Sequence, residues 1–302
     1  MRVFVTGASG WIGSAVLPEL IAQGHAVLGL ARSDAAAEKV AASGAEVLPG
    51  DVQDLDVLRR GAEQADGVVH LAFRHDIAFT GQFEEAAASD RAAIEVFGEV
   101  LAGSDRPLAI AAGVAGVKPG GIATELDHPG DEVSPRAASE RAVLALADRG
   151  VRSISVRFSP TVHGAGDHGF IALIVNADRA HGAAAYVGEG ENRWAAVHRS
   201  DAARLVRLGI EQAPAGSVLH AVAEEGVPMR DIAQAISHRF DLPAAGVSPE
   251  EAGERFGFLG QLVGLDMSAS SAITRELLGW EPTGPTLLED IQVGAYSNNS
   301  RG

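Results

Sequence analysis

"FVTGASGWIGSAV", residues 4–16, decides how this chain folds. A β-rich run, Arg2–Thr6, meets Gly7, Gly10 and Gly13, spaced three apart, and a helical pattern follows near Ile12–Gln23. The spacing predicts a strand that turns sharply into a helix. Gly7 permits the tight turn. Gly10 lets backbone N–H groups approach a pyrophosphate with no Cβ in the way. Gly13 lets the helix pack closely on the strand. Ser9, Trp11 and Ile12 complete the loop, and the helix N-terminus adds partial positive charge for phosphates. The stretch predicts dinucleotide binding.

Outward from it, β-rich and helical runs alternate. Strands are expected at Arg2–Thr6, Ala26–Ala31, Glu46–Leu48, Gly67–Leu71, Pro107–Ala112 and Arg152–Arg157. Helices are expected near Ala35–Ser43, Leu55–Gln64, Phe83–Gly103 and Arg136–Asp148, the last entered through Ser134 and Pro135. Runs such as "VFV", "VVHLA" and "ISV" are apolar throughout, as in a strand buried on both faces. The expected class is α/β, a Rossmann-type doubly wound parallel sheet. Residues 1–160 would form the dinucleotide-binding domain, and 195–225 would return to it by a helix near Asp201–Glu211 and a strand near Ser217–Val222. Residues 161–194 and 226–295 would form a smaller, mostly helical substrate lobe. Its helices are expected near Met229–Phe240, Pro249–Phe256 and Ser270–Leu278. "HGAGDHGF" (163–170) and "YVGEGENRW" (186–194) read as loops, Tyr186 as part of an outer strand, and "YSNNSRG" (296–302) as a frayed tail.

The 302 residues are 46% hydrophobic, enough for a sizeable core. A net charge of −16 with no basic run argues against nucleic acid and anionic membranes as partners. The absence of cysteine excludes disulfides, thiol nucleophiles and thiolate metal sites. The ten histidines form no His-x-x-x-His pair, so no metal site is expected. "MRVFVTGASG" enters a strand at once without a signal region, and no apolar stretch reaches the ~18 residues of a membrane span. Cytoplasmic residence is the expectation.

The second strand ends "GLARSD" (29–34). An acid at this tip would hold the ribose hydroxyls of NAD, but the chain has Arg32 and Ser33, which suit a 2′-phosphate and favour NADP(H). The alternative leaves Arg32 in solvent and gives the ribose to Asp34, so NAD(H) stays possible. In "PGDVQD" (49–54), Asp51 and Val52 either flank the adenine or belong to a turn that caps the next helix.

At this point the chain resembles the extended short-chain dehydrogenases, which include sugar-nucleotide epimerases and dihydroflavonol-type reductases. More narrowly, it resembles the atypical epimerase/dehydratase-like members. The resemblance runs along nearly the whole chain. It rests on "TGASGWIG", "GDVQDLDVL", "GVVHLAF", "VRFSPTVHG", "VGEGENRWAAVHRSDAARL" and "LLGWEPTGPTLLEDI". It implies that Leu71, Ala72 and Phe73 line the ribose and nicotinamide side of the cofactor. It implies that Pro160, Thr161 and Val162 touch the nicotinamide. It also implies pairing of two copies through the helices near Phe83–Gly103 and Arg136–Asp148.

The chain departs from the family at the catalytic step. The family's Ser or Thr after the fifth strand falls on Ala111, Ala112 or Gly113 in "LAIAAGVAGV". Its Tyr-x-x-x-Lys falls on Arg136 to Glu140 in "SPRAASERAVLAL" (134–146), which holds neither tyrosine nor lysine. Arg136 could polarise a carbonyl but cannot give up a proton. One turn apart, Arg136 and Glu140 are expected to pair. His75, beside Asp76, and His163, after the nicotinamide-contacting residues, are the candidate proton donors. The expected function is NADP(H)-dependent reduction of a C=O or C=N group in a small to medium molecule. The alternatives are a non-catalytic NAD(P)-binding redox sensor and, less favoured, a nucleotide-sugar epimerase or dehydratase.

Overall fold

The computed structural model describes residues 1–78, 80–130 and 135–296. The expected entrance residue Ser134 and the tail beyond Tyr296 lie outside them. Strands β1 (Arg2–Thr6), β2 (Ala26–Ala31), β3 (Glu46–Pro49), β4 (Gly67–His70), β5 (Pro107–Gly113) and β6 (Arg152–Phe158) alternate with helices. These are α1 (Gly13–Ala22), α2 (Asp34–Ala42), α3 (Leu55–Glu63), α4 (His75–Ala78), α5 (Phe83–Leu101) and α6 (Pro135–Ala145).

Beyond them come β7 (Thr161–His163), α7 (Phe170–His181), β8 (Ala184–Val187), β9 (Arg193–His198), α8 (Arg199–Gln212), β10 (Ser217–Ala221) and β11 (Glu224–Pro228). The remaining elements are α9 (Met229–Phe240), β12 (Ala244–Val247), α10 (Pro249–Phe256), α11 (Ala272–Leu278) and α12 (Leu287–Val293).

Seven strands form one parallel sheet in the order β10-β6-β5-β4-β1-β2-β3. The strand order reverses between β1 and β4, where a doubly wound sheet opens a crevice at its carboxyl edge. β4 is buried at every position and β1 at four of five, because helices cover both faces. Val5, Leu17 and Val206 lie in the core on one face, and Phe4, Phe97 and Leu108 in the core on the other. Local signals fix the helix starts: Ser33 accepts from Ala36 N–H to cap α2, and Asp54 accepts from Val57 N–H to cap α3.

The later chain builds a second layer. β7, β9 and β11 form a three-stranded sheet, β8 pairs with β12, and α7, α9, α10 and α12 pack there around Trp194, Ile232 and Tyr296. Residues 195–198, expected in the first domain, lie in β9 of this small sheet, and α8 leads back to the large one. The sequence pattern did not indicate α4, α7, α12, β7, β9, β11 or β12. "FIALIV" in α7 is too uniformly apolar to show a helical period. The start of α12 was marked, since Thr286 and Glu289 form a capping box. Among the described residues no helix is long and apolar enough to cross a membrane.

Candidate functional site

A cavity of about 880 Å³ opens at the carboxyl ends of β1, β4, β5 and β6. Every site residue singled out from the sequence borders it except Ser33, the alternative ribose ligand Asp34, and His163.

The phosphate loop is built from backbone. Gly7 has φ +66°, and a Cβ there would stand 2.7 Å from Ala72 N. A Cβ on Gly13 would stand 2.1 Å from Gly7 O, so the third glycine keeps the helix start against the turn itself. No side chain caps α1, and its start borders the cavity through Ile12 and Gly13, while the N–H groups of Ser14 and Ala15 donate back to Gly10 O and Ile12 O. Such a cradle fits an anion, and the residues present suit a dinucleotide pyrophosphate.

Trp11 ties the loop to the second layer. Its Nε1–H donates to Val162 O at 2.7 Å, the Arg199 guanidinium lies 4.2 Å above its ring, and His168 meets it edge-on. Below the loop runs a buried polar chain. Ala72 N–H donates to Thr6 Oγ1, which lies 2.6 Å from His70 Nδ1, and His70 Nε2 lies 3.2 Å from Asp90 Oδ1. Burial works against the Asp90 charge, but His70, with help from the Arg136 charge and Ser139, offsets it and holds the carboxyl below its ordinary pKa. The carboxylate can only accept, so His70 Nε2 carries the proton. His70 lies inside the apolar run "VVHLA", where no local pattern marks it.

At the β2 tip, Arg32 borders the cavity and lies 3.5 Å from Asp76, which Arg74 also holds at 2.9 Å. Ser33 is occupied as the α2 cap and stands outside the lining. Asp51 borders the cavity while its Oδ1 accepts from Gln53 N–H, and the helix cap is Asp54 instead.

The catalytic end differs from the expectation in two respects. First, Arg136 and Glu140 do not pair. Arg157, fully buried on β6, holds both Glu140 oxygens at 2.7 and 2.9 Å, and Ser155 Oγ donates to Oε1 at 2.5 Å. A carboxylate buried beside two donors on the neighbouring strand is better solvated there than by a residue on its own helix. Arg136 instead donates from Nη2 to Ala111 O at 2.5 Å and lies 4.3 Å above the Phe73 ring. Second, His163 does not face the cavity. It is fully buried, with Nδ1 2.6 Å from Asp290 Oδ2 on α12 and its ring edge-on to His198. His163, expected as a proton donor, is thus placed outside the cavity lining.

His75 does border the cavity, with its ring 5.0 Å from Phe73. Burial, aided by the charge of Arg136, holds the imidazole below its ordinary pKa, against the opposing pull of Asp76. Arg74 and Arg32 share the Asp76 carboxylate. Tyr296 is fully buried and donates to Asp167 Oδ2 at 3.0 Å, but burial and that carboxylate raise its pKa. This is the opposite of what an acid catalyst needs. Burial also pushes the Asp167 carboxyl up. Among the described residues no group of three or more His, Asp or Glu is placed to hold a metal ion.

Residues 3–96 match the model of the NAD dependent epimerase/dehydratase family. Two uncharacterized yeast proteins, from Schizosaccharomyces pombe and Saccharomyces cerevisiae, are each 45% identical, over 98% and 99% of this chain and the whole of each relative. A 4-hydroxy-2-methyl-3-oxo-4-farnesyl-3,4-dihydroquinoline-1-oxide ketoreductase of Stigmatella aurantiaca is 27% identical over 72% of this chain and 67% of its own. Among solved structures, a dTDP-glucose 4,6-dehydratase of Streptomyces venezuelae with NAD bound superposes with a TM-score of 0.78 at 22% identity, covering 99% and 98% of the two chains. A UDP-glucose 4-epimerase of Thermotoga maritima superposes at 0.77 with 18% identity, covering 98% of both. The Rossmann-type fold, the glycine cradle and the near-full-length relatives together establish that the chain belongs to the NAD-dependent epimerase/dehydratase family.

Proposed function

We propose that the chain is an NADP(H)-dependent reductase acting on a C=O or C=N group of a small to medium organic molecule. The observation that carries this reading is one continuous cavity that joins the glycine cradle to an apolar end holding Arg136 and His75. A pure cofactor sensor has no use for that second compartment. Gly7, Gly10 and Gly13 would hold the pyrophosphate, Arg32 the 2′-phosphate, and Pro160–Val162 the nicotinamide side. The bound cofactor would supply hydride.

The chain's own residues then orient the acceptor and keep water from the reacting centre. Arg136 presents its guanidinium between Ala111 and Phe73, where the substrate oxygen would lie. Burial favours the neutral imidazole of His75, which suits it to hydrogen-bond the acceptor rather than deliver a proton, and water protonates the product on release. The relative named as a ketoreductase acts on a farnesylated ring system, which agrees with the apolar substrate end here.

The test is binding followed by turnover. NADPH should bind about tenfold or more tightly than NADH, as expected for a charge-assisted contact to one extra phosphate. NADPH oxidation should then appear with some members of an aldehyde, ketone and imine panel. Tight NADPH binding with no turnover on any of them would favour the sensor reading, for which the missing Ser, Tyr and Lys speak.

A further inference from the structure

We propose that the substrate is a planar conjugated carbonyl compound, of quinone or enone type, and that Arg136 holds the delocalised oxyanion left by hydride addition. This rests on the reductase reading above and narrows its substrate class.

The argument starts from what stands at the reacting end. β5 ends in Ala111, Ala112 and Gly113, which carry no hydroxyl, and all three border the cavity. Tyr296 stands outside the lining, its phenol committed to Asp167. His75 borders the cavity, and burial favours its neutral form. The feature that does reach this point is a guanidinium, anchored by its bond to Ala111 O and stacked on Phe73. Arg136 keeps its charge although burial lowers its pKa, with Asp90 and Glu140 opposing that shift. A guanidinium stabilises negative charge and does not release protons at working pH.

That chemistry divides carbonyl acceptors into two groups. Reduction of a saturated ketone leaves a localised, strongly basic alkoxide that needs a proton in the same step. A conjugated acceptor behaves differently. It takes a hydride with its electron pair from reduced nicotinamide, which leaves as the oxidised cofactor. The displaced π pair settles on the carbonyl oxygen, giving an enolate or a phenolate. A phenol has a pKa near ~10, so this anion is weakly basic and lives long enough to be protonated by water on release. A fixed cation near the oxygen is then sufficient. The lining suits a flat ring: Phe73 and Phe83 lie 5.7 Å apart, and Phe158, Phe170, Leu262 and Met267 border the same space.

The experiment pairs acceptors of equal size, each assayed with NADPH against an enzyme-free blank. The pairs are a substituted benzoquinone with its cyclohexanone counterpart, and an aryl enone with the same ketone saturated. The expected result is a kcat/KM at least about tenfold higher for the conjugated member, with kcat flat from pH 6.5 upward. Arg136→Met should lower kcat by about 10²- to 10³-fold, the range for removing an oxyanion-stabilising donor, with NADPH binding intact, and Arg136→Lys should restore part of it. A second readout needs no turnover. A nitrophenol dye bound to the wild-type protein should show a lowered phenol pKa by absorbance, and Arg136→Met should abolish the shift.

Equal rates on saturated and conjugated members would overturn the proposal and leave the reductase reading standing, as would a dye shift that survives Arg136→Met. Absence of turnover on every pair would overturn both.

Discussion

The two ends of the cavity are made differently. At the cofactor end the working surface is backbone: Gly7 and Gly13 clear space, and the start of α1 borders the cavity with no side chain capping it. At the substrate end the working surface is long side chains whose partners come from elsewhere: Arg136 on Ala111 and Phe73, and Glu140 on Arg157 and Ser155. A backbone cradle depends on a few adjacent residues and tolerates little change. A side-chain site can be rewired one residue at a time while the fold persists. The glycine loop keeps the expected spacing here, whereas the stretch in which the resemblance implies a Tyr and a Lys reads Arg136 to Glu140 and holds neither.

The sharpest way to break this contrast is to put a side chain into the cradle. Gly13→Val places its Cβ 2.1 Å from Gly7 O, so the loop must move. Calorimetry should then show no NADPH binding at any concentration that saturates the wild type. The next effect falls at the other end. Glu140→Gln removes the charge facing the fully buried Arg157, and breaking a buried pair this way costs about 3–5 kcal/mol. Thermal unfolding should show that loss, and replacing both members by apolar residues should recover most of it.

Smaller still, Arg32→Ala should weaken NADPH about tenfold and leave NADH unchanged, which titration of the two cofactors would read directly. The smallest effect concerns His75. Burial, aided by the Arg136 charge, favours its neutral imidazole and holds its pKa below the ordinary histidine value. His75→Gln should therefore change kcat far less than the ~10²-fold that a lost general acid costs. A large loss, with a rate that falls as pH rises, would make His75 the proton donor after all.

The legibility of the sequence follows the same division. The strand, the three glycines and the helix lie within residues 2–22, so the sheet's leading unit is visible locally. The β2 tip and the residues after β4 follow from the same alternation. Glu140 was read with its i−4 neighbour because both lie on one helix, but its partner Arg157 sits on β6 and is brought near only by sheet order. His163 is likewise directed to Asp290, 127 residues away, a contact that no local pattern encodes. The Thr6–His70–Asp90 chain joins β1, β4 and α5 and was hidden for the same reason.

The central claim is that the glycine cradle binds a phosphorylated nicotinamide cofactor. Fluorescence titration with NADPH and NADH tests it most directly. The account predicts saturable binding of NADPH at one site per chain, about tenfold tighter than NADH. No change in fluorescence with either cofactor at millimolar concentration would contradict it.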